Sequence, residues 1–155
     1  MLKNKILLIL FIMGLLFALW LLQPAKIIAV HRSGTFTDII VENFPVTDKG
    51  KIRWWQANKE LIEEKYKFLP ADKNENYTVI IWGWRGSYKE MPDTDQGSDL
   101  LCFKDMKTKK NCIDKDKRKL WISKYGKGKY EYSVGLDDRT YTQLTENAEP
   151  KRAPD

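Results

Sequence analysis

Residues 77–84 read YTVIIWGW, the strongest strand pattern in the chain. Val79 and Ile81 fall on one face, and Ile80, Trp82 and Trp84 on the other. Side chains alternate along a strand, so a segment apolar on both faces needs cover on both sides. This predicts the central strand of a sheet. Gly83, between two tryptophans, points to a bulge or to a close packing partner.

Upstream, the pattern changes from strand to helix. Thr47 is a good N-cap, and Asp48 suits the positive end of a helix. A helix is predicted from about Asp48 to Tyr66. Ile52, Trp55, Ile62 and Tyr66 share one face, which Trp54, Asn58 and Leu61 widen. So broad a stripe needs a sheet to cover. Glu63 and Lys67 form a favourable pair four residues apart on the other side. Earlier still, residues 26–31 (KIIAVH) and 35–42 (TFTDIIVE) flank Arg32, Ser33 and Gly34 and read as a hairpin.

Downstream, residues 85–98 are polar and read as a long exposed loop. Residues 100–103 (LLCF) form a short strand carrying Cys102, and Cys112 follows after a turn. An even cysteine count in an exported domain predicts one bridge, Cys102 to Cys112. In the chain-entropy picture that closure is worth ~3 kcal/mol. Residues 120–125 and 129–134 read as a second hairpin around Gly126, Lys127 and Gly128. Beyond Leu136 the pattern weakens.

Residues 6–22 (ILLILFIMGLLFALWLL) hold 17 residues without a charge. At 1.5 Å per residue that is ~25 Å of helix, near the short end of what spans a bilayer. Lys3 and Lys5 precede the run. Cleavage after Ala25 or Ala29 would leave Gln23 or Ile27 at the −3 position, both unfavourable, and no cysteine follows to carry a lipid. The expectation is therefore an uncleaved signal anchor. Gly14 and Ala18, four apart, offer a face where a second membrane helix can pack closely.

The expected fold class is α+β: an N-terminal transmembrane helix followed by a small antiparallel sheet with one long packed helix. Residues 1–5 would be a cytoplasmic N-terminus, 6–25 the transmembrane anchor, 26–146 the exported domain and 147–155 a flexible tail.

Net charge is +6, and +4 without Lys3 and Lys5. This mildly basic balance favours anionic surfaces and does not argue for nucleic acid. Residues 104–129 carry 11 Lys/Arg against three acids, and residues 90–99 carry four carboxylates and no base. Within the basic stretch, Lys107, Lys109, Lys110, Lys117, Arg118 and Lys119 are the candidate contacts for headgroups or for an acidic partner. His31 is the only histidine and has no carboxylate or nucleophile near it in sequence. Asp93, Asp95 and Asp99 alternate as calcium ligands can, but the twelfth position from Asp93 is Lys104, where a bidentate Glu belongs. No metal, cofactor or catalytic set is expected.

Ala29-Val30-His31, Asn43-Phe44-Pro45, the run from Thr47 to Ile52 with Trp54-Trp55, Asn58-Lys59 and Lys65-Tyr66 form one set of motifs. Leu101-Cys102-Phe103, Asp105-Met106-Lys107 and Asn111-Cys112-Ile113 form another. Together they resemble the enterobacterial single-pass membrane family catalogued as "domain of unknown function 943". The resemblance implies one N-terminal membrane segment and a short exported domain, and it implies no activity.

The functional expectation is a non-catalytic protein-binding module in the periplasm, anchored to the bacterial inner membrane with its N-terminus in the cytoplasm. An immunity protein against an envelope-acting toxin is one concrete version. The alternative is an accessory subunit of an envelope or transport complex that uses its membrane helix. Expected partners are the lipid bilayer and another envelope protein.

Overall fold

The computed structural model describes residues 2–21, 23–67 and 73–154. It contains helix α1 (Leu2–Leu21), strands β1 (Lys26–Ser33) and β2 (Phe36–Glu42), and helix α2 (Asp48–Tyr66). Strands β3 (Tyr77–Gly83), β4 (Lys89–Glu90), β5 (Leu100–Cys102) and β6 (Lys110–Asp114) follow. The chain then forms β7 (Arg118–Tyr125), β8 (Lys129–Val134), β9 (Arg139–Gln143) and β10 (Lys151–Arg152).

The fold is mostly β, which corrects the expected α+β class. Seven strands form one sheet in the order β1-β2-β3-β7-β8-β9-β10, and three form a second in the order β4-β6-β5. The large sheet is also not purely antiparallel. β2 and β3 run parallel, from Phe36 opposite Thr78 to Val41 opposite Gly83. Parallel neighbours need a crossover, and α2 supplies it. The other pairs are antiparallel, including the expected hairpins β1–β2 and β7–β8.

The expected transmembrane helix is corrected as well. Among the described residues no helix is long and apolar enough to cross a membrane.

Three layers stack around the central strand. On one face of the large sheet, Ile39, Val41, Val79, Ile81, Leu120 and Ile122 meet Ile52, Trp55 and Ile62 of α2. On the other face, Ile40, Ile80 and Trp82 meet Phe103 and Ile113 of the small-sheet layer. Fully burying each such aliphatic side chain contributes ~1.5–3 kcal/mol. Leu61, expected on the buried stripe, instead stands 65% exposed.

α2 begins where Thr47 predicts, its hydroxyl accepting from the Gly50 amide at 3.1 Å. It ends on Lys67, which adopts a left-handed conformation and donates its amide to the Glu63 carbonyl at 2.7 Å. The Glu63 carboxylate accepts from the Tyr77 hydroxyl at 3.4 Å. Gly83 fits both readings of its position. The β3–β7 register shifts beside it, and a Cβ there would lie 2.7 Å from Cε of Lys119. The stretch read as a flexible tail carries β10, whose Lys151 and Arg152 pair with Thr142 and Tyr141.

Candidate functional site

Residues 103–109 join β5 to β6, and the segment 103–111 is fastened at several points. Cys102 and Cys112 are directly opposed in the β5–β6 register and are disulfide-bonded, with Cα atoms 3.9 Å apart. The Phe103 amide donates to the Asn111 carbonyl at 2.9 Å, and the Asn111 side-chain amide donates back to the Phe103 carbonyl at 3.0 Å. A tight turn follows, with the Met106 amide donating to the Phe103 carbonyl at 3.2 Å. Phe103 itself is buried in the core between the two sheets.

The loop is also fastened to the large sheet, through His31 of β1. His31 is 6% exposed and lies flat on Phe103, with ring centroids 4.0 Å apart and planes 11° apart. Its Nδ1 lies 3.0 and 3.1 Å from the two carboxylate oxygens of Asp105, and its Nε2 lies 2.9 Å from the Tyr88 hydroxyl. A carboxylate beside Nδ1 fixes the proton there. In the neutral ring, Nε2 then accepts from the Tyr88 hydroxyl. Burial holds that hydroxyl above its usual pKa, and the Asp105 charge adds to the effect.

Asp38 is the residue opposite His31 on β2. It is buried and accepts from the Trp82 indole N–H at 2.7 Å. Burial raises its pKa, and the Trp82 hydrogen bond partly opposes the rise. His31, Asp38, Trp82, Tyr88, Phe103 and Asp105 thus form one polar-aromatic clasp between the two sheets. Sequence reading missed it because His31 and Asp105 are 74 positions apart. The local signal at Asp38, a carboxylate inside an apolar strand, was present but did not identify its partner.

The clasp and the disulfide hold a loop that is basic. Lys104, Lys107 and Lys109 are exposed along it, and Lys110 is exposed at the start of β6. The other candidate bases lie elsewhere. Lys117, Arg118 and Lys119 follow the far end of β6, four strand steps or ~13 Å beyond Lys110. They are also more engaged. Lys117 is paired with Asp116, and Arg118 donates to the Gly135 carbonyl at 3.0 Å and pairs with Asp138 at 2.6 Å. Lys119 packs over Gly83. Six bases that are near in sequence therefore divide into an open group of three and an engaged group of three.

Gly14 and Ala18 lie on α1, and both are exposed. A Cβ built on Gly14 would meet nothing within 4 Å. Asp95–Asp99 forms a 3-10 turn, with the Lys115 ammonium donating to the Ser98 carbonyl at 2.6 Å. Among the described residues no three His, Cys, Asp or Glu side chains converge as metal ligands. Chemically, the stapled loop offers several ammonium groups on a backbone already ordered, which suits recognition of an acidic surface.

Comparison with known proteins adds one match. The model of the family described as "Enterobacterial putative membrane protein (DUF943)" matches residues 2–153. No curated protein and no solved structure matches the chain.

Proposed function

The chain belongs to this enterobacterial family, and from that premise we propose that it is a non-catalytic binding module of the cell envelope. Its folded domain faces the periplasm and is held at the inner membrane by lipid contact along α1. Its stapled basic loop docks an acidic surface of a second envelope protein. The observation that carries this reading is the loop itself. Four exposed lysines stand on a segment pinned by a disulfide, a reciprocal backbone–side-chain pair and the His31–Asp105 contact. A loop ordered before encounter loses little entropy on binding.

Two further observations support the address. The large apolar side chains of α1 between residues 6 and 19 are 46–71% exposed, an uncovered apolar surface that lipid would cover. A disulfide persists in an oxidising compartment such as the periplasm. An immunity protein against an envelope-acting toxin is one version of such a module.

The test is charge reversal. K107E/K109E/K110E should weaken capture of the partner from solubilised envelopes by about tenfold or more, and should flatten its salt dependence. Unchanged capture would remove the loop from the function. The open Gly14/Ala18 face of α1 favours a second reading, an accessory subunit that packs α1 against another protein. Replacing α1 with an unrelated apolar helix leaves the first function intact and abolishes the second.

A further inference from the structure

Between α1 and β1, residues 23–27 face α2. A groove of about 680 Å³ opens there, a size ordinary for small-ligand sites. Lys26 of β1 and Lys65 of α2 both line it. Both side chains are exposed, and neither ammonium has an ion-pair partner among the described residues. Trp54 and Tyr66 supply aromatic walls, and the Lys65 ammonium sits 5.3 Å from the Tyr66 ring. The rim is braced by the Asn43 side-chain amide, which donates to the Gln23 side-chain carbonyl at 3.1 Å. Glu42 is the one carboxylate on the wall.

We propose that this groove binds the headgroup phosphate of an anionic phospholipid. The inference rests on the lipid contact of α1 proposed above. Position and charge both lead to it. Lys26 lies five residues beyond the end of α1, so lipid around α1 brings the groove to headgroup depth. Paired lysines with Trp and Tyr at that depth are the side chains that hold anionic headgroups, the aromatic rings at the apolar boundary and the ammonium groups on the phosphate. A peptide would meet the same lysines, but the lining begins at Gln23, two residues past the end of the exposed apolar helix α1, so lipid that covers α1 reaches the groove first.

The experiment uses the full chain, reconstituted into phosphatidylcholine vesicles with and without phosphatidylglycerol. Flotation reports whether the protein enters vesicles at all. Detergent extraction followed by mass spectrometry then reports which lipid stays with it. The wild type should float with both vesicles and retain phosphatidylglycerol over phosphatidylcholine. K26Q/K65Q should float equally and lose that preference about tenfold, whereas E42Q should strengthen it. K127Q/K129Q, at the β7–β8 turn, should behave as the wild type. Flotation without lipid preference, or preference unchanged in K26Q/K65Q, overturns the groove alone. Failure to float with either vesicle overturns the lipid contact of α1 and the groove with it.

Discussion

Replacing His31 by alanine tests whether the clasp holds the two sheets together. The ring is 6% exposed, makes two hydrogen-bonded contacts and stacks on Phe103. Losing the Tyr88 hydrogen bond should cost ~1 kcal/mol. The Asp105 contact is charge-assisted, but its carboxylate is 42% exposed and rehydrates when the ring is gone, so it too is set at ~1 kcal/mol. Lost stacking and an incompletely filled site add ~1–2 kcal/mol. The sum is ~3–4 kcal/mol, a large share of the ~5–15 kcal/mol stability of a domain. H31F keeps the stacked ring and should lose about half as much. The assay is urea unfolding of the full chain in detergent micelles, followed by tryptophan fluorescence. In a double-mutant cycle, H31A and D105A should couple by ~1 kcal/mol, because the two residues touch across layers. A loss below ~0.5 kcal/mol for H31A, or a coupling indistinguishable from zero, would refute the clasp.

Three further outcomes follow from the same contacts. C102S/C112S should lower stability by ~2–3 kcal/mol and speed amide hydrogen exchange in residues 103–111 more than in β7 or β8. Asp48 accepts from Arg139 at 2.8 and 3.0 Å, and those bonds chiefly hold its pKa below the usual 3.8. A depressed carboxylate stabilises the fold above its unfolded value and loses that contribution as pH falls through the folded one. D48N should therefore cost ~1–2 kcal/mol at neutral pH and flatten the acid limb of the stability curve below about pH 4. Asp38 has the opposite sign, since burial raises its pKa, and stability is lost as pH climbs from 3.8 through the raised value. D38N, whose amide oxygen still accepts from Trp82, should abolish that loss and leave the protein at least as stable at pH 7, as read by thermal melts across pH.

Much of the fold follows from local signals. The Thr47 cap and the apolar spacing predict α2 with the bounds observed, because capping and helical period are set within a few residues. YTVIIWGW predicts a central strand for the same local reason, and β3 does lie between β2 and β7. The parallel pairing of β2 with β3 was harder to read. Residues 39–41 of β2 are buried on both faces, which marks an interior strand, but the turn before it suggested only a hairpin. β9 reads Arg-Thr-Tyr-Thr-Gln, too polar to announce a strand, and its place comes from pairing with β8. The basic stretch was visible as charge, but burial and ion pairing decide which lysines remain open. The clasp was invisible, since nothing local to His31 points to Asp105 or Tyr88.

The stapled loop is the proposed docking surface, and a photo-crosslinking residue at position 109 tests it most directly. Irradiated in native envelopes, it should yield one discrete adduct with an envelope protein. That adduct should fade with added salt and disappear in the C102S/C112S background. No adduct from position 109, or an equal one from position 127 at the β7–β8 turn, would contradict that role for the loop.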